Sequence, residues 1–300
     1  MRANVALDQV AHDVTACQVC PRLRAHCQEV ARVKRAAYRH ENYWGRPVPG
    51  FGDPRARLLI VGLAPGAHGA NRTGRLFTGD RSADFLFASL HRTGWANQPN
   101  STHVDDGLRL TGAFISAVGR CAPPDNRPTP EEIRRCLPFL VREITYLRHL
   151  CVVVVLGQIA FAGIWAAFEL LGHPPRRPRP VFGHCAVIEA VGADPIVIAS
   201  YHPSQQNTQT GRLTPAMLDQ VFVRARELAD RAGPRISVSR VRRSITAPRR
   251  TDSLGHKTGG VCGPIAPRTG PRSGGRERRR AGRLRPEPQC RVRRSRDRNR

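Results

Sequence analysis

The sequence predicts an α/β protein: a three-layer α/β/α domain with a mainly parallel central sheet over residues 1–233, then a disordered basic tail over 234–300. Three observations carry this expectation. Short apolar runs without polar alternation, LLIV at 58–61 and CVVVVL at 151–156, read as strands buried on both faces. Each is followed by a glycine and later by a stretch with apolar residues at helical spacing, so strands and helices alternate along the chain. Beyond Gly233 the apolar content falls, and 21 Arg and Lys stand against 4 Asp and Glu, a net of +17.

In chain order, residues 5–37 read as helical with an interruption at CQVCPRL, where Cys17 and Cys20 form a C-x-x-C and Pro21 starts the next turn. No strand precedes this pair, so a thioredoxin-like dithiol fits poorly. Ligation of a metal or cluster fits better but needs two more thiolates. Residues 38–54, with three prolines, read as loop. A strand at 56–62 opens into a loop carrying Gly62, Pro65, Gly66, Gly69, Gly74 and Gly79, together with His68, Phe77 and Asp80. Open α/β sheets bind ligands beyond the carboxyl ends of their strands, where glycine lets backbone come close. The loop has neither the phosphate-loop nor the dinucleotide pattern. Asp80 also suits the N-cap of a helix from about Ser82 to Arg92.

Residues 108–118 read as the second strand. Thr129, Pro130, Glu131 and Glu132 then make a helix start, with a capping hydroxyl, proline in the first turn and acids beside it. Cys121 and Cys136 flank that start, and with Cys17 and Cys20 they supply four thiolates. Tetrahedral zinc and a [4Fe–4S] cluster are both open at this point. A strand at 151–156 leads into a helix to about Leu171, a basic proline-rich loop at 174–180, and two further strands within 181–191 and 195–200. The last delivers His202 to the edge that carries the glycine-rich loop. A helix from Thr214 to Ala232 closes the domain, and Cys151 and Cys185 belong to its core.

Composition narrows the partners. The chain carries a net charge of +26, and residues 1–233 alone hold 28 cations against 19 acids. A basic folded domain points to a polyanion, nucleic acid first. Nearly all the cations are arginine, an excess that genomic base composition can also produce, which weakens the charge argument without removing it. No run reaches the ~18–20 apolar residues that span a bilayer, and the acid-bearing N-terminus has no apolar signal core. A cytoplasmic protein without membrane contact is expected.

Three segments taken together, GLAPGAHGANRTGRLFTGD (62–80), RCAPPDNRPTP (120–130) and YHPSQQN (201–207), with the four cysteines, resemble the family-5 uracil-DNA glycosylases. That family is an iron–sulfur branch of its superfamily, and the resemblance spans roughly residues 12–230. It implies a uracil-DNA-glycosylase-like domain that acts as a monomer on damaged, uracil-containing DNA. It also implies a [4Fe–4S] cluster on Cys17, Cys20, Cys121 and Cys136, with Cys27 a bystander. The implied base-binding residues are Gly62, Leu63, Ala64, Pro65, Gly66 and Phe77, with Phe77 stacking on the extruded base. Asp80 is the implied carboxylate for the sugar cation and water, His202 the donor to the base oxygen, and Asn126 an amide contact to the lesion or its backbone. The neighbouring family-4 enzymes have an acid where Leu63 stands and an asparagine where Ala117 stands. Without them the pocket is expected to accept uracil and also hypoxanthine, hydroxymethyluracil or ethenocytosine. Gly66 departs from the alanine common at that position. No lysine occupies the motifs, so base release without strand cleavage is expected. The competing readings are a non-catalytic iron–sulfur or zinc DNA-binding protein, and a small-molecule α/β hydrolase or nucleosidase.

Overall fold

The computed structural model describes residues 2–192 and 194–232. The tail expected at 234–300, and with it the domain boundary, lies outside the described residues. Six strands form one sheet: β1 (Phe51–Gly52), β2 (Leu58–Gly62), β3 (Ala113–Ala117), β4 (Val152–Leu156), β5 (Ala186–Ile188) and β6 (Ile196–Ser200). Their order is β1-β3-β2-β4-β6-β5. The four central strands run parallel, with Leu58 opposite both Ala113 and Val152, and Val152 opposite Ile196. The short edge strands β1 and β5 pair antiparallel.

Among the described residues eight α-helices accompany the sheet: α1 (Arg2–Ala16), α2 (Pro21–Val33), α3 (Ala70–Thr73), α4 (Arg81–Arg92), α5 (Pro130–Tyr146), α6 (Gln158–Leu170), α7 (Gln205–Gln209) and α8 (Pro215–Arg231). Alternation along each strand divides the core into two layers. Leu58, Ile60, Val152, Val154 and Ile198 pack with Leu86, Leu90, Val221 and Phe222 of α4 and α8. Leu59, Val61, Val153, Val155 and Val197 pack with Leu140, Val141, Ile164 and Phe168 of α5 and α6. Such unbroken apolar strands are stable only when both faces are covered, and each buried Val or Leu side chain contributes ~1.5–3 kcal/mol. The three-layer expectation is met for this reason.

Several boundaries differ from the sequence reading. The strand expected at 108–118 begins only at Ala113, because Gly112 has φ +66° and Leu110 pairs with Ala96 instead. The apolar run 181–191 supplies only Ala186–Ile188; the turn closed by the Ala186 amide on the Gly183 carbonyl and the positive φ of Cys185 interrupt it. The stretch 38–54 contains β1, and the glycine-rich loop contains the single turn α3. Cys151 and Cys185 are buried as expected.

Candidate active site and cysteine cavity

Three segments converge where β2 and β6 end: the glycine-rich loop, its continuation into α4, and the loop after Ser200. Asp80 is the N-cap of α4, its Oδ1 accepting the Ala83 amide at 3.0 Å. The carboxylate lies against bare glycine. A methyl group at Gly66 would stand 3.0 Å from Oδ2, and one at Gly69 would stand 2.8 Å from Cγ and closer still to Oδ2. Burial pushes the Asp80 carboxyl above the ordinary carboxylate range, against two backbone amides that pull it down. Gly69 has a negative φ, so Gly69→Ala costs space rather than backbone strain. We expect Gly69→Ala to displace the carboxylate and lower activity by ~10²-fold, the scale of a 1 Å misplacement, with folding retained. Single-turnover kinetics beside a thermal melt checks this.

Phe77 sits in the same loop at φ +49°, a conformation that is strained for an aromatic residue. Its ring rests on the backbone of Gly62, where an added Cβ would stand 2.7 Å from Cζ. His202 lies beside it, with ring centroids 5.9 Å apart at 31°. Gly157, at φ +94°, leaves room for His202, whose Cβ would lie 3.3 Å from a methyl there. Asn207 fixes the His202 carbonyl through a 2.8 Å hydrogen bond. Burial without a charged partner lowers the His202 pKa to about 4, so the imidazole is neutral near pH 7 and keeps one N–H to donate.

Leu63, Ala64 and Pro65 line the chain between Gly62 and Gly66. The Gly62 and Leu63 carbonyls accept the Val118 and Gly119 amides at 3.1 and 2.8 Å, which anchors this segment to the end of β3. No hydrogen bond from the Ala64 or Gly66 amide appears among the described residues. The structure thus brings Gly62, Gly66, Phe77, Asp80 and His202 together. Asn126 lies exposed in a 3₁₀ turn, Pro124–Asn126, at φ +56° and makes no hydrogen bond to Asp80 or His202.

Sequence reasoning passed over the brace beneath the loop. Arg72 is buried, and it donates to the His68 carbonyl at 2.8 Å and to the Gly79 carbonyl at 2.7 Å, while pairing with Glu41 and covering the Tyr38 ring at 3.9 Å. It joins the two ends of the loop that positions Asp80. In a chain this rich in arginine, nothing in the one-dimensional pattern singles it out.

The four predicted cysteines line one cavity, shared with Leu23, Arg24, Arg120 and Phe139. Four segments bring them together: Cys17 follows α1, Cys20 is the N-cap of α2, Cys121 lies in the loop after β3, and Cys136 lies on α5. A two-pronged pair from Arg22 to Glu132, at 2.8 and 2.7 Å, ties the start of α2 to the start of α5. Glu132 also completes the capping box with Thr129. Burial raises the Cys136 pKa to about 12 and also lifts Cys20. Among the described residues no group of three or more His, Cys, Asp or Glu is arranged to hold a single metal ion. A single tetrahedral zinc would require sulfurs ~3.8 Å apart. Cys27 is buried against Cys121 and donates to the Ala122 carbonyl at 3.6 Å. No described helix is long and apolar enough to cross a membrane.

A sequence profile of the uracil DNA glycosylase superfamily matches residues 49–226. The chain is similar to a type-5 uracil-DNA glycosylase of Mycobacterium bovis, 51% identical over 72% of this chain and 79% of the relative. It is 50% identical to a type-5 uracil-DNA glycosylase of Thermus thermophilus over 72% of this chain and 95% of the relative. One from Pyrobaculum aerophilum is 43% identical over 73% of this chain and 91% of its own length.

Proposed function

This chain belongs to the uracil DNA glycosylase superfamily, and on that premise we propose that it is a monofunctional glycosylase that hydrolyses the N-glycosidic bond of uracil in DNA. The convergence of Asp80, Phe77 and His202 on one glycine-lined edge supports this reading best. Catalysis on a base requires the nucleotide to leave the stack and enter a pocket. Phe77, rigid over Gly62, offers the stacking face. The backbone from Gly62 to Gly66 approaches the pyrimidine edge, with the Ala64 and Gly66 amides making no hydrogen bond among the described residues.

Bond cleavage builds cationic character on the deoxyribose and negative charge on the departing base, much as glycoside hydrolysis builds an oxocarbenium ion. Ionised Asp80 stabilises the sugar and orients the attacking water. Neutral His202 donates its N–H to the base oxygen as charge develops there. An imidazolium would be a stronger donor, but the buried site disfavours that charge, and a neutral donor exacts no proton from solvent. Asn126, exposed on its turn, supplies amide contacts to the lesion or its backbone. The range of accepted bases extends to hypoxanthine and related lesions because Leu63 and Ala117 lack the polar groups that would reject them. The protein works as a cytoplasmic monomer on damaged DNA.

Cys17, Cys20, Cys121 and Cys136 would hold a [4Fe–4S] cluster. The fit rests on four thiols around a single cavity and on the cations at its wall, Arg24, Arg120 and Arg135. A cluster there serves to join α1, α2 and α5 to the loop after β3; no step of base removal runs through it.

The test is a single-turnover assay on a labelled duplex with one uracil, followed by alkali, beside a hypoxanthine duplex and an undamaged control. Strand breaks at the lesion that require alkali are expected. Breaks without alkali would overturn the monofunctional assignment, and an uncut uracil duplex with folded protein would overturn the enzymatic one.

A further inference from the structure

Arg120 follows β3 by three residues and is 1% exposed, among the largest fully buried side chains described. Its Nη2 donates to Ser116 Oγ at 2.9 Å and to Glu143 Oε2 at 2.5 Å, and Ser116 Oγ donates to the same carboxylate oxygen at 2.6 Å. Only one of its nitrogens is used in this way. Nε and Nη1 are buried with no hydrogen-bond partner. Buried donors in native proteins are nearly always satisfied, so such a pair calls for a missing acceptor. Arg120 also lines the cavity of the four cysteines, beside Cys121 and Cys136. The side chain therefore runs beneath α5 between Cys136 and Glu143, which stand two turns apart on that helix.

A purely structural ion pair would explain Nη2 and leave the other two nitrogens unexplained. An anionic sulfur-rich occupant would explain those two as well. Iron and sulfide held by four thiolates form such an anion, and their sulfurs accept N–H donors. We propose that Arg120 is the positioning cation of this cavity, donating from Nε and Nη1 to the sulfurs of a bound iron–sulfur cluster while Glu143 and Ser116 fix its orientation. The inference deepens the cofactor assignment above and rests on it. It also gives Glu143 a purpose: a buried carboxylate seven residues along α5 from Cys136 holds the guanidinium in register with the cluster. Arginine suits the task better than lysine because its fork can serve the anchor and the cluster at once.

The experiment compares the full-length protein with Arg120→Lys and with the pair Arg120→Met/Glu143→Gln, which avoids stranding a buried carboxylate. Each is reconstituted anaerobically with iron and sulfide, assayed for iron, and melted to confirm folding. The readouts are the rate at which a chelator bleaches the absorbance near ~400 nm and the cluster's midpoint potential. Bleaching is expected to accelerate ~10-fold in both variants, the scale of outer-shell losses in metal sites. The potential is expected to move to more negative values in the double variant, which keeps the net charge but loses the N–H donors to the sulfurs, and less in Arg120→Lys. Folded, iron-loaded variants with unchanged bleaching and potential would overturn the proposal, whatever their melting temperature. A reconstituted wild type without iron would instead overturn the cofactor assignment, and this proposal with it.

Discussion

Asp80→Asn is expected to slow uracil release by ~10²–10⁴-fold, the range lost when a positioned acid–base group is removed. The amide oxygen of asparagine can still accept the Ala83 hydrogen bond that caps α4, so the local structure should survive. The sign of the stability effect separates chemistry from architecture. Burial raises the Asp80 pKa, so the folded chain takes up this proton more readily than the unfolded chain does. Its contribution to stability is therefore most favourable below the unfolded carboxylate range and declines as pH rises through the folded pKa. At pH 7 the ionised group is a cost to folding, and Asp80→Asn should melt no lower than wild type. Activity should in turn fall on the acid side, with a midpoint above the ordinary 3.8 as the carboxyl takes its proton; asparagine should flatten that limb. A variant that loses stability but keeps its rate would reduce Asp80 to a helix cap.

His202→Ala is expected to cost ~10²–10³-fold in the same assay, as for loss of a donor aimed at developing negative charge. Because its pKa falls to about 4, His202 stays neutral through the working range and adds no acid limb of its own above that point. The linkage runs opposite to that of Asp80. A histidine held neutral by burial contributes stability above its unfolded pKa, near ~6.5, and that stability is lost as pH falls toward 4. Melting temperatures recorded from pH 7 to pH 4 should fall more steeply for wild type than for His202→Ala. Identical slopes would mean that the imidazole is not held neutral, and an unaltered rate would remove it from catalysis.

Residue type revealed the fold wherever one physical force dominated. Unbroken Val and Leu runs must be covered on both faces, so β2 and β4 could be read directly, and the proline and acids after Thr129 marked the start of α5. Boundaries set by competition escaped. Leu108 and Leu110 look like strand residues, yet Gly112 turns the chain, and Leu110 pairs with Ala96, fourteen residues earlier, instead of extending β3. In the site, the motifs identified Asp80, Phe77 and His202 as candidates, but not that Gly69 leaves room for the carboxylate or that Arg72 clasps both ends of its loop.

By itself the sequence determined the layered α/β class, the edge of the sheet where chemistry gathers, the family, and the four cysteines that could share a ligand. These follow from periodicity, glycine placement and residue chemistry, which are local or carried by short motifs. Only the tertiary structure decided which groups are neutral, which are clasped and which are left without partners. The depressed His202 pKa and the raised Asp80 pKa arise from burial in the folded chain, and the partnerless nitrogens of Arg120 from the enclosure of its side chain. Burial and its electrostatic cost depend on what surrounds a side chain, and no spacing in one dimension encodes that.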